Sequence, residues 1–126
     1  MVPRRKVGRK RIRVPAARCY SLTVFTKKWR EVRHFYTHLL GAVVISERAY
    51  RYCELRLGGV PLCFRTGENG ESVSYFHLYL ALQEQQLILE RLQDAGVIVR
   101  LDGTYACFLD PEGRTIKLSK DTALLE

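Results

Sequence analysis

The sequence has no long apolar run. No stretch of about 18 uninterrupted apolar residues occurs, and the arginines near the N-terminus are not followed by an apolar signal core. With 126 residues, 47% of them apolar, the chain suits one domain large enough to bury a core. We therefore expect a soluble, cytoplasmic protein with no membrane span.

The cysteine spacing of a structural zinc site is also missing. Cys19, Cys53, Cys63 and Cys107 form no Cys-x-x-Cys pair and do not cluster with histidine, whereas tetrahedral zinc sites need such groups. Nothing in the sequence indicates secretion, so a disulfide framework is not expected. The four cysteines are predicted to be free thiols.

Acidic residues are absent from positions 1–18, which carry eight basic side chains. Of the 21 basic residues in the chain, 13 then remain against 13 acidic ones, so the net charge of +8 belongs to this segment. Its composition cannot close a core. We interpret residues 1–18 as a basic extension and residues 19–126 as the domain. Attraction of the extension to nucleic acid or anionic lipid is the alternative, and the neutral domain argues against nucleic acid.

The first half of the domain alternates like a strand and then changes to helical spacing. Residues 19–26 predict a strand, residues 27–40 predict a helix, and Gly41 follows as a left-handed cap. Three short strands come next, with the Gly58-Gly59 turn between the last two. They are predicted at residues 42–47, 50–57 and 60–65.

The same order returns after a loop at residues 66–72. A strand at 73–82, a helix at 83–95 and Gly96 are followed by three more predicted strands, at 97–101, 104–109 and 114–119. The turn Asp110-Pro111-Glu112-Gly113 precedes the last of them. This internal repeat predicts an α+β fold of two tandem βαβββ modules, about residues 19–66 and 73–120.

Alternation assigns the faces of the two last strands. Val60, Leu62 and Phe64 are expected to meet the helix of module one, as Ile116 and Leu118 meet that of module two. The opposite faces, which include Cys63, Thr115, Lys117 and Ser119, are expected to line a cleft between curved mixed sheets, where ligands commonly bind. The tyrosines fall largely on strands, and most are predicted to pack in the core or on the sheets.

Two segments resemble motifs of the vicinal oxygen chelate superfamily, which includes glyoxalase I, bleomycin and fosfomycin resistance proteins and extradiol dioxygenases. Phe35-Tyr36-Thr37-His38-Leu39-Leu40-Gly41 resembles its Phe-Tyr-x-x-x-Leu-Gly helix ending, and Phe108-Leu109-Asp110-Pro111-Glu112-Gly113 resembles its Phe-x-Asp-Pro-x-Gly motif. With the repeat, the resemblance covers residues 19–120. It implies the glyoxalase/bleomycin-resistance/dioxygenase fold and a homodimer, in which modules of one or both chains complete each cleft.

The resemblance places four metal-ligand positions of the superfamily at Ser21, Cys63, His77 and Lys117. Only His77 matches the usual His, Glu or Gln, and a lysine beside a divalent cation is unfavourable. We therefore expect no metal cofactor and a protein that binds, sequesters or senses a small molecule. His77 and Lys117 are predicted to recognise a carboxylate or phosphate, with Ser21, Cys63 and Tyr79 lining the cleft and Tyr79 stacking on a flat ligand.

The sequence also allows two alternatives to a metal-free binding protein, a metal-dependent enzyme and a cysteine nucleophile. A metal-dependent lyase, isomerase or dioxygenase would need a rearranged ligand set, and Cys63 with His77 could form a nucleophile and base only within hydrogen-bond reach. His34 and His38 have a spacing that can hold a metal, but no adjacent glutamate accompanies them. We interpret these two histidines as a solvated helix face.

Overall fold

Among the residues that the structure describes, two four-stranded sheets, two α-helices and one π-helical turn make up the fold. The structure, a computed structural model, describes residues 15–81 and 85–119. The elements of module one are β1 (Leu22–Thr26), α1 (Trp29–His34), a π-helical turn (Phe35–Leu39), β2 (Val43–Arg48), β3 (Tyr52–Leu57) and β4 (Val60–Thr66). Those of module two are β5 (His77–Ala81), α2 (Gln85–Asp94), β6 (Arg100–Asp102), β7 (Tyr105–Leu109) and β8 (Thr115–Ser119).

The two sheets have the same strand order, which confirms the predicted repeat. Module one is ordered β1-β4-β3-β2 and module two β5-β8-β7-β6. In each module the first strand lies parallel to the last, and the other pairs are antiparallel. Each sheet is therefore mixed, with the helix as the crossover between its parallel strands.

The apolar stripe of the first helix forms the centre of the core. Val32 and Tyr36 are fully buried, and Tyr36 lies 4.7 Å from Phe64 on β4 between ring centroids. Phe35 reaches Phe108 of module two at 6.2 Å. A single buried apolar cluster thus includes side chains of both modules.

The predicted first helix ends in a π-helical turn, which the sequence pattern did not indicate. Leu40 N–H donates to the Phe35 carbonyl and Ala42 N–H to the Tyr36 carbonyl, at 3.3 and 2.9 Å. Gly41 follows with a φ of 80°, and Gly96 after α2 has the same φ. Both predicted glycine caps are therefore confirmed.

Four strands begin two or more residues later than predicted. β1 begins at Leu22 and not at residue 19. β5 begins at His77 and not at Val73, because Ser74 N–H donates to the Phe25 carbonyl at 3.1 Å and holds that segment against β1. β6 begins at Arg100 and not at residue 97, and Tyr50 lies in the turn before β3. The ends predicted at residues 82–84 and at 120, like residues 1–14 of the extension, lie outside the described residues.

Some burial predictions also need correction. Val60 is 38% exposed because it is the first residue after the hairpin turn, although Leu62 and Phe64 are buried as expected. Ser119 is buried on the face predicted to be open, where Tyr105 lies opposite it on β7. The prediction that most tyrosines are packed was wrong for three of them, which are exposed: Tyr20, Tyr50 and Tyr75. Tyr79, which was predicted to line the cleft, is also exposed.

A buried arginine joins the two modules. Arg114 is fully buried and donates to the carbonyls of Phe25 and Ser74 at 2.7 and 2.6 Å. Its Nη1 also pairs with Asp110 at 3.0 Å and Glu112 at 2.9 Å. Since Phe25 is on β1 and Asp110 and Glu112 belong to the turn before β8, one side chain ties module one to module two.

Within the described part of the chain, no helix is long and apolar enough to cross a membrane. All four cysteines are free.

Candidate functional site

The open face of the second sheet carries a row of polar side chains. Across the strands Tyr79 pairs with Lys117, Lys117 with Cys107, and Cys107 with Arg100. Directly paired residues of neighbouring strands project from the same face. The alternation that buries Ile116 and Leu118 therefore places this row on the opposite, open side of β8.

A pocket of about 310 Å³ lies on this face. Its volume is at the lower end of the range for small-molecule sites. Two cationic side chains and one carboxylate contribute to the lining, which leaves a surplus positive charge. The lining residues are Arg100, Leu101, Asp102, Cys107, Thr115 and Lys117.

Lys117 stands between an aromatic pair and a carboxylate. Its Nζ lies 5.6 Å from the ring centroid of Tyr79, 6.0 Å from that of Tyr105 and 3.8 Å from Asp102 Oδ2. These contacts hold the ammonium group over two aromatic faces. Because Asp102 offsets part of the charge, the positive character predicted from Lys117 depends on Arg100 as well.

Tyr79 and Tyr105 form the aromatic edge of this face. Their ring centroids are 5.8 Å apart and their planes are nearly perpendicular, at 82°. Tyr79 is 61% exposed, so its ring has a free face for a flat ligand.

His77 begins β5 and lies opposite Thr115, which lines the pocket. Its side chain is exposed and makes no hydrogen bond or ion pair with any residue of the described ranges 15–81 and 85–119. The pair His77 and Thr115 is followed on the same face by the pair Tyr79 and Lys117, so His77 lies near Lys117.

The other two predicted residues lie on the first sheet. Cys63 pairs with Thr23 across β4 and β1, and Ser21 immediately precedes β1. Burial raises the pKa of the Cys63 thiol and the nearby Glu54 raises it further, so the thiol is protonated and unreactive near neutral pH. Among the residues that the structure describes, no hydrogen bond or ion pair joins Ser21 or Cys63 to His77 or Lys117.

Sequence reasoning missed four of the pocket residues. Three of them lie on β6 and one on β7, namely Arg100, Leu101, Asp102 and Cys107. Thr115 was not missed, because alternation along β8 had already placed it on the cleft face with Lys117. Arg100 and Asp102 depend on strand pairing that the single sequence does not fix.

His34 and His38 on the first helical segment are both exposed, which confirms the predicted solvated face. Their rings stack with centroids 4.4 Å apart. Across residues 15–81 and 85–119, no group of three or more His, Cys, Asp or Glu side chains is suited to hold a metal ion.

Comparison of the structure with solved structures identifies the fold. An antibiotic binding protein from Streptomyces sp. CB03234, TnmS3, matches with a TM-score of 0.67 and 19% identity over 85% of this chain and 98% of its own. A lactoylglutathione lyase from Agrobacterium tumefaciens matches with a TM-score of 0.65 and 11% identity over 87% and 98%.

A mutant of the fosfomycin resistance protein FosX from Listeria monocytogenes, in complex with Mn(II) and 1S,2S-dihydroxypropylphosphonic acid, matches with a TM-score of 0.64 and 17% identity over 83% and 90%. The chain has the vicinal oxygen chelate fold. At the level of fold, the resemblance seen in the two motifs is confirmed. No protein-family model matches the sequence, and no curated protein sequence matches it either.

The vicinal oxygen chelate fold accommodates both enzymes and binding proteins among these structures, so the fold alone does not decide the activity. The donor set at Ser21, Cys63, His77 and Lys117 does not fit a divalent metal ion. It offers one imidazole, a protonated thiol, a hydroxyl and an ammonium group, with no carboxylate to offset the charge of the ion.

Proposed function

We propose that the protein is a small-molecule-binding protein that works without a metal ion and sequesters or senses a small anionic or aromatic ligand. The observation that carries the proposal is the pocket of the second sheet, where Lys117 and Arg100 outnumber Asp102 beside an exposed aromatic ring. A carboxylate, phosphate or phosphonate group suits the two cations, because planar and tetrahedral anions accept several charge-assisted hydrogen bonds. Tyr79 suits a flat group attached to it.

The roles proposed for the individual residues follow from their positions. His77 extends the pocket beyond Thr115 and supplies a hydrogen-bonding imidazole with no competing partner among the described residues. Cys63 and Ser21 are proposed as lining from the first sheet. Cys63 lies on the face of β4 opposite the buried Leu62 and Phe64, and Ser21 precedes β1, two residues before Thr23, which pairs with Cys63. Neither is required for the charge of the pocket.

A homodimer is part of the proposal. Apolar side chains on the outer strands are exposed, among them Val43 and Ile45 on β2 and Leu101 on β6. Outer strands with exposed apolar groups are suited to be covered by another copy of the chain. Coverage of β6 would also enclose the pocket that Leu101 and Arg100 line.

Titration with phenylphosphonate, followed by the backbone amide signals of residues 100–107 and 115–118, tests the proposal. Saturable shifts are expected there. His77→Ala and Lys117→Met are each expected to weaken binding by about two- to fivefold, as for a partly exposed charge. Lys27→Met, which removes a positive charge outside the pocket, is the control. Unchanged binding by both variants would contradict the assignment.

Elemental analysis of the purified protein distinguishes a metal-free binding protein from a metal-dependent enzyme. A stoichiometric divalent ion that is lost in His77→Ala would replace this proposal by a metal-dependent lyase, isomerase or dioxygenase. Binding of nucleic acid that disappears on deletion of residues 1–18, without a response to phenylphosphonate, would instead favour a role for the basic extension.

A further inference from the structure

A second pocket, of about 520 Å³, lies between α1 and the turn that joins β2 to β3. It shares no lining residue with the pocket of the second sheet. Its walls combine an aromatic pair, Trp29 and Tyr50, with the basic side chains of Arg30, Arg33 and His34. Aromatic and basic side chains therefore line the same pocket, whereas an apolar crevice would contain no such charge.

Tyr50 is held in a backbone conformation that a tyrosine rarely adopts. Its φ is 62°, in a turn closed by Arg51 N–H donating to the Arg48 carbonyl at 2.9 Å. Glycine or asparagine is favoured at such a position. Thr66 fastens the turn, since its hydroxyl donates to the Tyr50 carbonyl at 2.8 Å and its N–H to the Arg51 carbonyl at 2.8 Å.

The strained backbone places the Tyr50 ring against Trp29. The two ring centroids are 5.2 Å apart at an angle of 44°, and Tyr50 is nevertheless 61% exposed. Strain of this kind persists where the surrounding structure enforces it, commonly at binding sites. Tyr50 therefore offers an aromatic face at a position where packing alone does not require a tyrosine.

The indole N–H of Trp29 donates no hydrogen bond to any described residue. Its Nε1 is buried and has no partner within residues 15–81 and 85–119. A buried N–H without an acceptor is costly. Because Trp29 lines the pocket, the signal of this N–H reports on a molecule bound there.

The charges of the pocket favour an anion. Arg33 is occupied by Glu47, to which it donates from both Nε and Nη2, the latter at 2.9 Å. Arg30 has no ion pair or hydrogen bond through its side chain in the described part of the chain, so its charge is available. One uncompensated guanidinium beside two aromatic rings suits a ring that bears a carboxylate.

We propose that this pocket is a second small-molecule site, for a planar aromatic acid. The ring of the ligand contacts Tyr50 and Trp29, and its anionic group pairs with Arg30. The site is independent of the pocket proposed above on the second sheet.

The single tryptophan of the chain provides the readout. Its indole N–H gives one signal in a proton–nitrogen correlation spectrum, and we expect 2-naphthoate to shift this signal saturably. The matched neutral compound, 2-naphthylmethanol, is expected to bind about two- to fivefold more weakly, as is 2-naphthoate to Arg30→Met. Equal binding of the acid and the alcohol would overturn the assignment to an acid.

Tyr50→Gly removes the ring while giving the turn a residue that its backbone favours, so the fold is expected to be retained. This variant should lose most of the response to 2-naphthoate. Lys117→Met should keep it, which separates this site from the pocket of the second sheet. An indole signal that does not move in the wild type, or that moves equally in Tyr50→Gly, would overturn the proposal while leaving the first pocket untouched.

Discussion

At the scale of single residues, the fully buried Arg114 contacts side chains and backbone of both modules. Four hydrogen-bond acceptors and three aromatic rings surround its guanidinium, and the rings of Phe64 and Phe76 lie 5.3 and 5.5 Å from its Cζ. Asp110, its partner at 3.0 Å, also accepts from the Tyr36 hydroxyl at 2.8 Å. The cluster satisfies every charge that it buries, which is the condition for a buried ion pair to be tolerated.

Replacement of this arginine is predicted to be severe. Arg114→Met leaves the carboxylates of Asp110 and Glu112 buried without a cation, which costs about 3–5 kcal/mol of unfolding free energy. Arg114→Lys keeps the charge but cannot make the same set of directed contacts, so an intermediate loss is expected. Urea unfolding near neutral pH measures both. Arg51→Met, which breaks an exposed pair with Glu68 at 3.6 Å, should cost less than about 1 kcal/mol; a similar loss in the two methionine variants would contradict the argument.

Acid sensitivity is predicted at Glu112. Burial by itself would raise the pKa of Glu112, but hydrogen bonds from the Thr26 hydroxyl and Lys27 N–H, together with Arg114, lower it below its ordinary value of 4.5. The ionised form therefore stabilises the folded chain above that ordinary pKa, and this contribution disappears as the pH falls through the lower pKa of the folded state.

Glu112→Gln is therefore expected to be less stable than the wild type near neutral pH, and the difference should narrow at about pH 3.5. Unfolding free energies at the two pH values measure it. Glu68→Gln serves as the comparison, because its ion pair is half-exposed. A difference between Glu112→Gln and the wild type that stays constant with pH would refute the assignment.

At the scale of elements, the two helices end alike. Gly41 and Gly96 each follow a helix with a φ of 80°, and a Cβ at either position would meet no atom within 4 Å. The requirement for glycine is therefore conformational and not steric. Left-handed backbone conformation disfavours a residue with a Cβ.

Gly41→Ala and Gly96→Ala are each predicted to lower the unfolding free energy by about 1–2 kcal/mol. Gly59→Ala is the control, since Gly59 also has open space around a Cβ but no left-handed φ. Thermal or urea unfolding of the three variants gives the comparison. If Gly59→Ala proved as destabilising as the other two, the conformational explanation would fail.

At the scale of the whole molecule, exposed apolar side chains lie on the outer strands of both sheets. Ile45 on β2 and Leu101 on β6 are 52% and 71% exposed. A second copy of the chain that covers these strands would remove apolar area from water, and closed two-fold pairing is the commonest assembly of identical chains.

We expect the wild-type protein to sediment at twice the mass of the chain. Ile45→Lys or Leu101→Lys should shift it toward the monomer, because a charge in a buried contact is costly. Leu87→Lys, at an exposed leucine that lies on α2 and not on an outer strand, should leave the mass unchanged. A wild-type monomer in sedimentation equilibrium would remove the dimer from the proposed function.

Much of the architecture could be predicted from the sequence because it depends on local pattern. Helical spacing predicted the two helices that end at glycine, alternation predicted the strands, and the turn at Gly58-Gly59 joins β3 to β4 as expected. The error at the start of β5 arose where a long-range hydrogen bond overrides the local pattern. The Ser74 N–H donates to the Phe25 carbonyl and does not take part in the ladder of β5 and β8. The π-helical turn, which the spacing did not indicate, contains the buried Phe35 and Tyr36.

By itself the sequence determined the repeat, the two motifs and the chemical identity of the side chains at the expected ligand positions. The same information indicated that Ser21, Cys63, His77 and Lys117 are poor ligands for a divalent ion, because donor chemistry is a property of residue type. Only the tertiary structure determined which side chains lie close together. Strand pairing sets Arg100 and Asp102 beside Lys117, the turn at Tyr50 lays its ring on Trp29, and Arg114 finds partners far away in the chain, since contacts at long sequence separation depend on the register and packing of whole elements.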